Sequence, residues 1–193
     1  MSKSEQLEEL YREYKKEFEG KEIVTGDGNV DADILLIGEA PGKDEVRLAK
    51  PFVGMAGKNL SEFLELLGVK REGIYITNAI KYRLSTINPQ TGRAVNRPAS
   101  KEEIDRNREY LLREIEIISP RYIVTLGNVP LKSVTHDYGI SIGSVHGEMK
   151  AVSISGREYF LFPLYHPASI IYNRKLKSVY IDDIKKLRES ICV

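Results

Sequence analysis

Three polar residues sit at or just past the end of a short apolar run. Glu39 follows Ile34-Leu35-Leu36-Ile37-Gly38, Asn78 follows Ile74-Tyr75-Ile76-Thr77, and His166 closes the run that ends in Phe162-Pro163-Leu164-Tyr165. An amide carries a donor and an acceptor side by side, as the edge of a nucleobase requires, although Asn78 in such a place could equally be a turn residue or a cap. His166 precedes Pro167, which orients its loop, and would face Glu39 across a crevice, so we assign it a functional role. Phe52, in the glycine-bounded stretch Pro51-Phe52-Val53-Gly54, could plug the core or serve as a platform for a planar base, a contact worth roughly 1–3 kcal/mol. His136 and His146, at a helix end and in a loop, are expected to be surface or structural residues.

The elements that must carry these residues follow from the apolar runs. Four aliphatic residues between Asp33 and Gly38 suit a central parallel strand covered on both faces. The turn Gly38-Glu39-Ala40-Pro41-Gly42 should be stiff and present backbone N–H groups, with Gly38 and Gly42 free to adopt conformations closed to other residues. In an open α/β sheet, ligands bind at the carboxyl ends of the strands, which is where this turn, Asn78 and His166 all fall. Helical spacing marks residues 4–18, with Ser2 or Ser4 as N-cap, and a helix from Gly57 that ends at Gly68. Ser100 and Glu103 form a capping box that opens a helix stopped by Pro120, and Asn128 is expected to cap a short helix after the strand Tyr122-Ile123-Val124-Thr125-Leu126. Residues 22–25 look strand-like, 26–29 like a turn, 43–57 like a long irregular segment, and 79–99 like a basic loop with Tyr82 interleaved. Residues 148–154 and 158–164 alternate around Ser155-Gly156 as a hairpin does. Strands alternating with helices predict an α/β class: a three-layer α/β/α sandwich on a mostly parallel sheet of four or five strands, in one domain over residues 1–193.

Several classes of function are excluded. Neither glycine pattern, at 38–44 or 54–59, has the spacing and final Ser or Thr of a phosphate-binding loop, and no Gly-x-Gly-x-x-Gly follows a strand. There is no apolar run of about 18 residues, and the N-terminal segment is charged and amphipathic, so the expectation is a cytoplasmic protein without a membrane partner. The single cysteine, Cys192, cannot form an internal disulfide or a cysteine-ligated metal site. With 29 Lys and Arg against 28 Asp and Glu, a nucleic-acid partner would have to be held by a local basic face.

Taken together, Gly38-Glu39-Ala40-Pro41-Gly42, Pro51-Phe52-Val53-Gly54 with Ala56-Gly57, Thr77-Asn78-Ala79-Ile80-Lys81 and His166-Pro167-Ala168 resemble the ordered motifs of the uracil-DNA glycosylase superfamily, most nearly family 4, over about residues 24–188. The resemblance implies a monofunctional glycosylase of base excision repair that flips uracil out of DNA and hydrolyses its N-glycosidic bond. In that reading Phe52 stacks on the base and Asn78 reads its N3 and O4 edge. His166 and backbone N–H groups of Gly38 to Ala40 stabilise the charge on O2, while Glu39, with Glu45 beside it, positions water or steadies the sugar cation. Ala40 stands where other families carry a catalytic Asp or Asn. Ile170 or Ile171 would wedge into the minor groove in place of the extruded nucleotide, and Arg174, Lys175, Lys81 and Arg83 would meet phosphates.

The chain also departs from that pattern. Family 4 members usually hold a four-iron, four-sulfur cluster on four cysteines, and here Tyr82 and Asn107 occupy the two later positions. We therefore predict no cluster and no metal, with aromatic packing of Tyr14, Phe18 and Tyr82 in its place. Tyr172 stands where an arginine is common after the wedge, and the short, histidine-free Arg47-Leu48-Ala49-Lys50 argues against covalent capture of DNA. The expected partners are uracil-containing DNA and free uracil as product, and the expected state is a monomer. The rival readings are a catalytically weak DNA- or nucleobase-binding module and a glycosylase for hypoxanthine or xanthine.

Overall fold

A sheet whose middle strands are apolar on both faces has to be covered twice, and here it is. The structure, a computed structural model, describes residues 1–173 and 175–191. In chain order the strands are Asp27–Gly28 (β1), Ile34–Gly38 (β2), Tyr75–Asn78 (β3), Ser85–Ile87 (β4), Ala94–Asn96 (β5), Tyr122–Leu126 (β6), Lys150–Ile154 (β7) and Arg157–Leu164 (β8). The helices are Lys3–Glu17 (α1), Lys43–Leu48 (α2), Gly54–Leu67 (α3), Lys101–Ile118 (α4), Asn128–Thr135 (α5), Ile142–Val145 (α6), Pro167–Tyr172 (α7) and Lys175–Ser190 (α8).

The main sheet has six strands in the order β1-β3-β2-β6-β8-β7, of which β3, β2, β6 and β8 run parallel and the two edge strands antiparallel. Because side chains alternate along a strand, Leu35 and Ile37 of β2 join Ile123, Leu161 and the inner faces of α1, α4 and α5. Ile34 and Leu36 join Val124, Phe162 and the inner faces of α3 and α8 on the other side. Burying each such aliphatic side chain contributes roughly 1.5–3 kcal/mol, so the three layers hold by apolar burial on two independent cores.

The predicted sandwich is correct in class, and its strand count rises to six. The edge strand β1 is only two residues long and lies inside the predicted turn at 26–29, while residues 22–25 contribute only an isolated bridge between Ile23 and Tyr82. Residues 43–57 are not irregular: they contain α2 and the first turn of α3, which begins at Gly54. Residues 85–96 form the β4–β5 hairpin, exposed throughout its strands. Of the two serines offered as N-cap of α1, Ser2 takes the role and forms a capping box with Glu5, α4 opens on the expected Ser100–Glu103 box, and Gly68 closes α3 with a left-handed backbone. Asn128 does not cap α5; it lies inside that helix, and its side chain accepts the N–H of Ile142 at 2.8 Å instead.

Candidate functional site

The four parallel strands end at Gly38, Asn78, Leu126 and Leu164 at one end of the sheet, and the segments that follow β2, β3 and β8 enclose a cleft of about 350 Å³. Ala40, Glu45, Phe52, Asn78 and His166 all line it. A second hollow of similar size adjoins it, sharing Ala40, Pro41, Asn96 and His166 and adding Glu39 and Arg97. The predicted site residues of these loops therefore converge on two adjoining hollows, with Glu45 lining the first and Glu39 the second.

Register brings the first two together. Gly38 pairs with Asn78 across β2 and β3, and the carbonyls of Gly38 and Glu39 accept the N–H groups of Ala79 and Ile80 at 2.8 and 3.0 Å. Neither Gly38 nor Gly42 has the left-handed backbone that the sequence suggested. Gly38 is needed for room: a Cβ there would stand 2.5 Å from Asn78 Oδ1 and 2.6 Å from Phe52 Cζ. The side-chain amide of Asn78, in a buried residue, has no hydrogen-bonding partner among the described residues, so its donor and acceptor face the cleft.

Phe52 is held in a left-handed backbone, φ +52°, an unusual state for a residue with a bulky side chain. Two neighbours hold it there: Arg71, which sequence reasoning missed, and Glu45, which it placed in the site but not as a tie between loops. The Arg71 guanidinium donates to the carbonyls of Pro51 and Phe52 at 2.8 and 3.0 Å, and Glu45 accepts the N–H groups of Gly42 and Val53 at 3.1 Å each. Glu45 is buried with both oxygens so engaged, which makes it a tie between the Gly42 turn and the Phe52 loop. The only signal in the sequence is a carboxylate three residues after Gly42, the spacing of a capping box.

His166 caps α7. Its Nδ1 accepts the N–H of Ala168 at 3.1 Å, and burial lowers its pKa, so the ring is neutral at pH 7 and its proton sits on Nε2. Burial also raises the pKa of Glu39, against a hydrogen bond from the Ala99 backbone. A neutral imidazole donor, an unpaired amide and an aromatic face thus surround one cleft, a set able to hold a flat heterocycle and stabilise negative charge on it.

A sequence model of the uracil DNA glycosylase superfamily matches residues 25–187. The chain belongs to this superfamily. It is 38% identical to the type-4 uracil-DNA glycosylase of Saccharolobus solfataricus over 175 residues, which is 89% of this chain and 77% of the relative. It is 37% identical to the type-4 enzyme of Archaeoglobus fulgidus over 169 residues, covering 86% and 80% of the two chains, and 38% identical to that of Sulfurisphaera tokodaii over 170 residues, covering 86% and 73%.

The iron–sulfur cluster expected of family 4 finds no ligands here. The chain has one cysteine, Cys192, outside the described residues, and no group of three or more metal-binding side chains exists among those described. Tyr82 and Asn107 are instead buried and bonded: Tyr14 donates its phenol to Asn107 Oδ1, Asn107 Nδ2 donates to the Tyr82 oxygen at 3.3 Å, and Phe18 packs 4.5 Å from Tyr14 and 5.2 Å from Tyr82. These residues do not fit a thiolate-ligated cluster; they make a packed aromatic and amide plug.

Of the predicted phosphate contacts, Lys81 is corrected. It is 1% exposed, and its ammonium lies 2.6 Å from the Glu114 carboxylate, so it cannot reach a phosphate. Arg83 bonds Asn96 Oδ1 at 3.0 Å and braces the β4–β5 hairpin. Lys175 is exposed at the start of α8. Arg174 and the side chains of Ile170 and Ile171 lie outside the described residues. The other two histidines are tied off, His136 beside Asp105 at 3.3 Å and His146 to Asp183 at 2.6 Å.

Proposed function

We propose that the protein is a monofunctional, cluster-free uracil-DNA glycosylase that opens base excision repair, acting as a single-domain monomer in the cytoplasm. The observation that carries this reading is the convergence of Phe52, Asn78 and His166 on one cleft, with His166 neutral and its Nε2 proton free to donate.

A flipped uracil stacks on Phe52 and offers its N3–H and O4 to the acceptor and donor of the Asn78 amide, an edge that cytosine presents with the opposite polarity at position 4. The bond between N1 and C1′ breaks with its electron pair moving into the base, and negative charge gathers on O2. His166 Nε2–H and backbone N–H groups of Gly38 to Ala40 meet that charge. Water adds to C1′, with Glu39 positioning it or steadying the sugar cation, and the proton it gives up balances the negative charge of the departing base, which is released as neutral free uracil. Glu45 supports the step by fixing the two loops. Ile170 or Ile171 fills the vacated stack, and Arg174 and Lys175 meet the backbone phosphates.

Single-turnover release of base from oligonucleotides carrying uracil, hypoxanthine or xanthine tests the proposal. Release should be confined to uracil and fall about 10²–10³-fold in His166→Ala. Asn78→Asp, whose protonated carboxyl can reverse the edge polarity, should gain some cytosine release. Tight DNA binding without release of any base would make the protein a binding module.

A further inference from the structure

Lys81 and Glu114 form the deepest ion pair of the described residues, 1% and 0% exposed and 2.6 Å apart. A pair at this depth is commonly no more stabilising than well-packed apolar residues of the same volume. What apolar residues could not do is grip polar groups, and this pair grips two of them beside one site residue. Lys81 Nζ donates to the backbone carbonyl of Asn78 at 3.0 Å, and Thr77 Oγ1 donates to Glu114 Oε2 at 3.1 Å. Both flanks of the Asn78 Cα are thereby fastened to one buried charge pair, while the Asn78 amide itself is left unpaired toward the cleft.

The pair is anchored in turn. Tyr11 donates to Glu114 Oε1 and shares a 2.6 Å hydrogen bond with Tyr75, and the Tyr14 phenol receives the backbone N–H of Lys81 at 3.0 Å. Gly26 leaves the space, since a Cβ there would lie 2.6 Å from the Tyr75 hydroxyl and 2.7 Å from Glu114 Oε1. Helices α1 and α4 thus reach the base-reading end of β3 through a chain of hydrogen bonds as well as through apolar packing.

We propose that Lys81 and Glu114 are positioning residues for base recognition, aiming the Asn78 amide from beneath the cleft. This rests on the reading of Asn78 as the residue that recognises uracil. The pair touches no substrate; it acts through the Thr77 hydroxyl and the Asn78 backbone carbonyl.

The test is a double-mutant cycle on single-turnover uracil release with thermal unfolding measured beside it. Lys81→Met combined with Glu114→Gln removes both charges at nearly constant volume and strands neither. We expect this variant to melt within a few degrees of wild type yet release uracil about tenfold more slowly, with a higher KM and weaker discrimination against cytosine. Adding Asn78→Ala to it should then cost far less than the same change costs in wild type, because residues acting as a unit are non-additive. Full additivity, or slowing that only follows a lowered Tm, would overturn the positioning role. If Asn78→Ala alone leaves release and discrimination unchanged, the reading of Asn78 fails instead, and the two failures are separate results. Lys81→Met alone, which strands the Glu114 carboxylate, serves as the control for a variant that simply unfolds.

Discussion

Phe52 and Asn78 approach each other across Gly38 so closely that one added methyl group would touch both, at 2.6 and 2.5 Å. Gly38→Ala should therefore tilt the stacking face and the reading amide together. A displacement of about 1 Å in a positioned group can cost on the order of 10²-fold in rate, whereas overpacking typically costs about 1–3 kcal/mol of stability. We expect uracil release to fall about a hundredfold in a protein that still melts cooperatively. Release at the wild-type rate would mean the two residues do not act on a common ligand.

The protonation state of His166 gives a pH dependence. Burial lowers its pKa from 6.5, and its Nδ1 is occupied as an acceptor, so the neutral ring is the active donor. The unfolded chain takes up this proton more readily than the folded one, so the stability His166 contributes is present above pH 6.5 and lost as pH falls through its lowered folded value. Single-turnover rates should be level through neutrality and decline only on the acid side, below 6.5. A rate that rises on acidification toward pH 6 would contradict a neutral donor.

Glu39 carries the opposite sign. Burial raises its pKa, so the folded protein holds this proton more tightly than the unfolded chain, and ionised Glu39 costs stability once pH exceeds its raised value. Glu39→Gln should raise Tm at pH 7 and slow release about a hundredfold, with the difference in Tm vanishing below pH 4.5, where both forms are neutral. Calorimetry across pH decides it, since a lowered Tm at pH 7 would make Glu39 a structural acceptor for the Ala99 N–H.

Arg97 ties the hairpin side of the second hollow to α4 through two bonds to Glu103, at 2.8 and 2.7 Å, and the Glu103 pKa is pulled from 4.5 down to about 2. Its contribution is full above pH 4.5 and is lost as pH falls toward about 2. The protection of the Arg97 amide, whose N–H bonds the Leu84 carbonyl, against hydrogen exchange, taken relative to the intrinsic rate at each pH, should fall over that window. Glu103→Gln should produce the same loss of protection at neutral pH, and unchanged protection there would show that the hairpin needs no such anchor.

The strands that deliver Glu39, Asn78 and His166 were legible because each is a short apolar run ended by polar or turn residues, a pattern that tertiary context rarely overrides. Helix α2 was not, since it is one and a half turns long between glycines and its cap is a carboxylate acting on backbone. The β4–β5 hairpin was missed because it is exposed on both faces and shows no apolar alternation. Lys81 was misplaced for a different reason: its partner Glu114 lies 33 positions away on another element, and a lysine among Arg83, Arg93 and Arg97 looks like surface charge. Arg71, which holds Phe52 from 19 positions away, carried no local signal at all.

The aromatic and amide plug of Tyr14, Phe18, Tyr82 and Asn107 joins α1, α4 and the segment after β3 with ordinary side chains. A junction of that kind needs neither iron delivery nor sulfide assembly to form. Oxygen, peroxide and chelators have no thiolate there to attack, so the shape of this corner of the fold is independent of redox state and of metal supply.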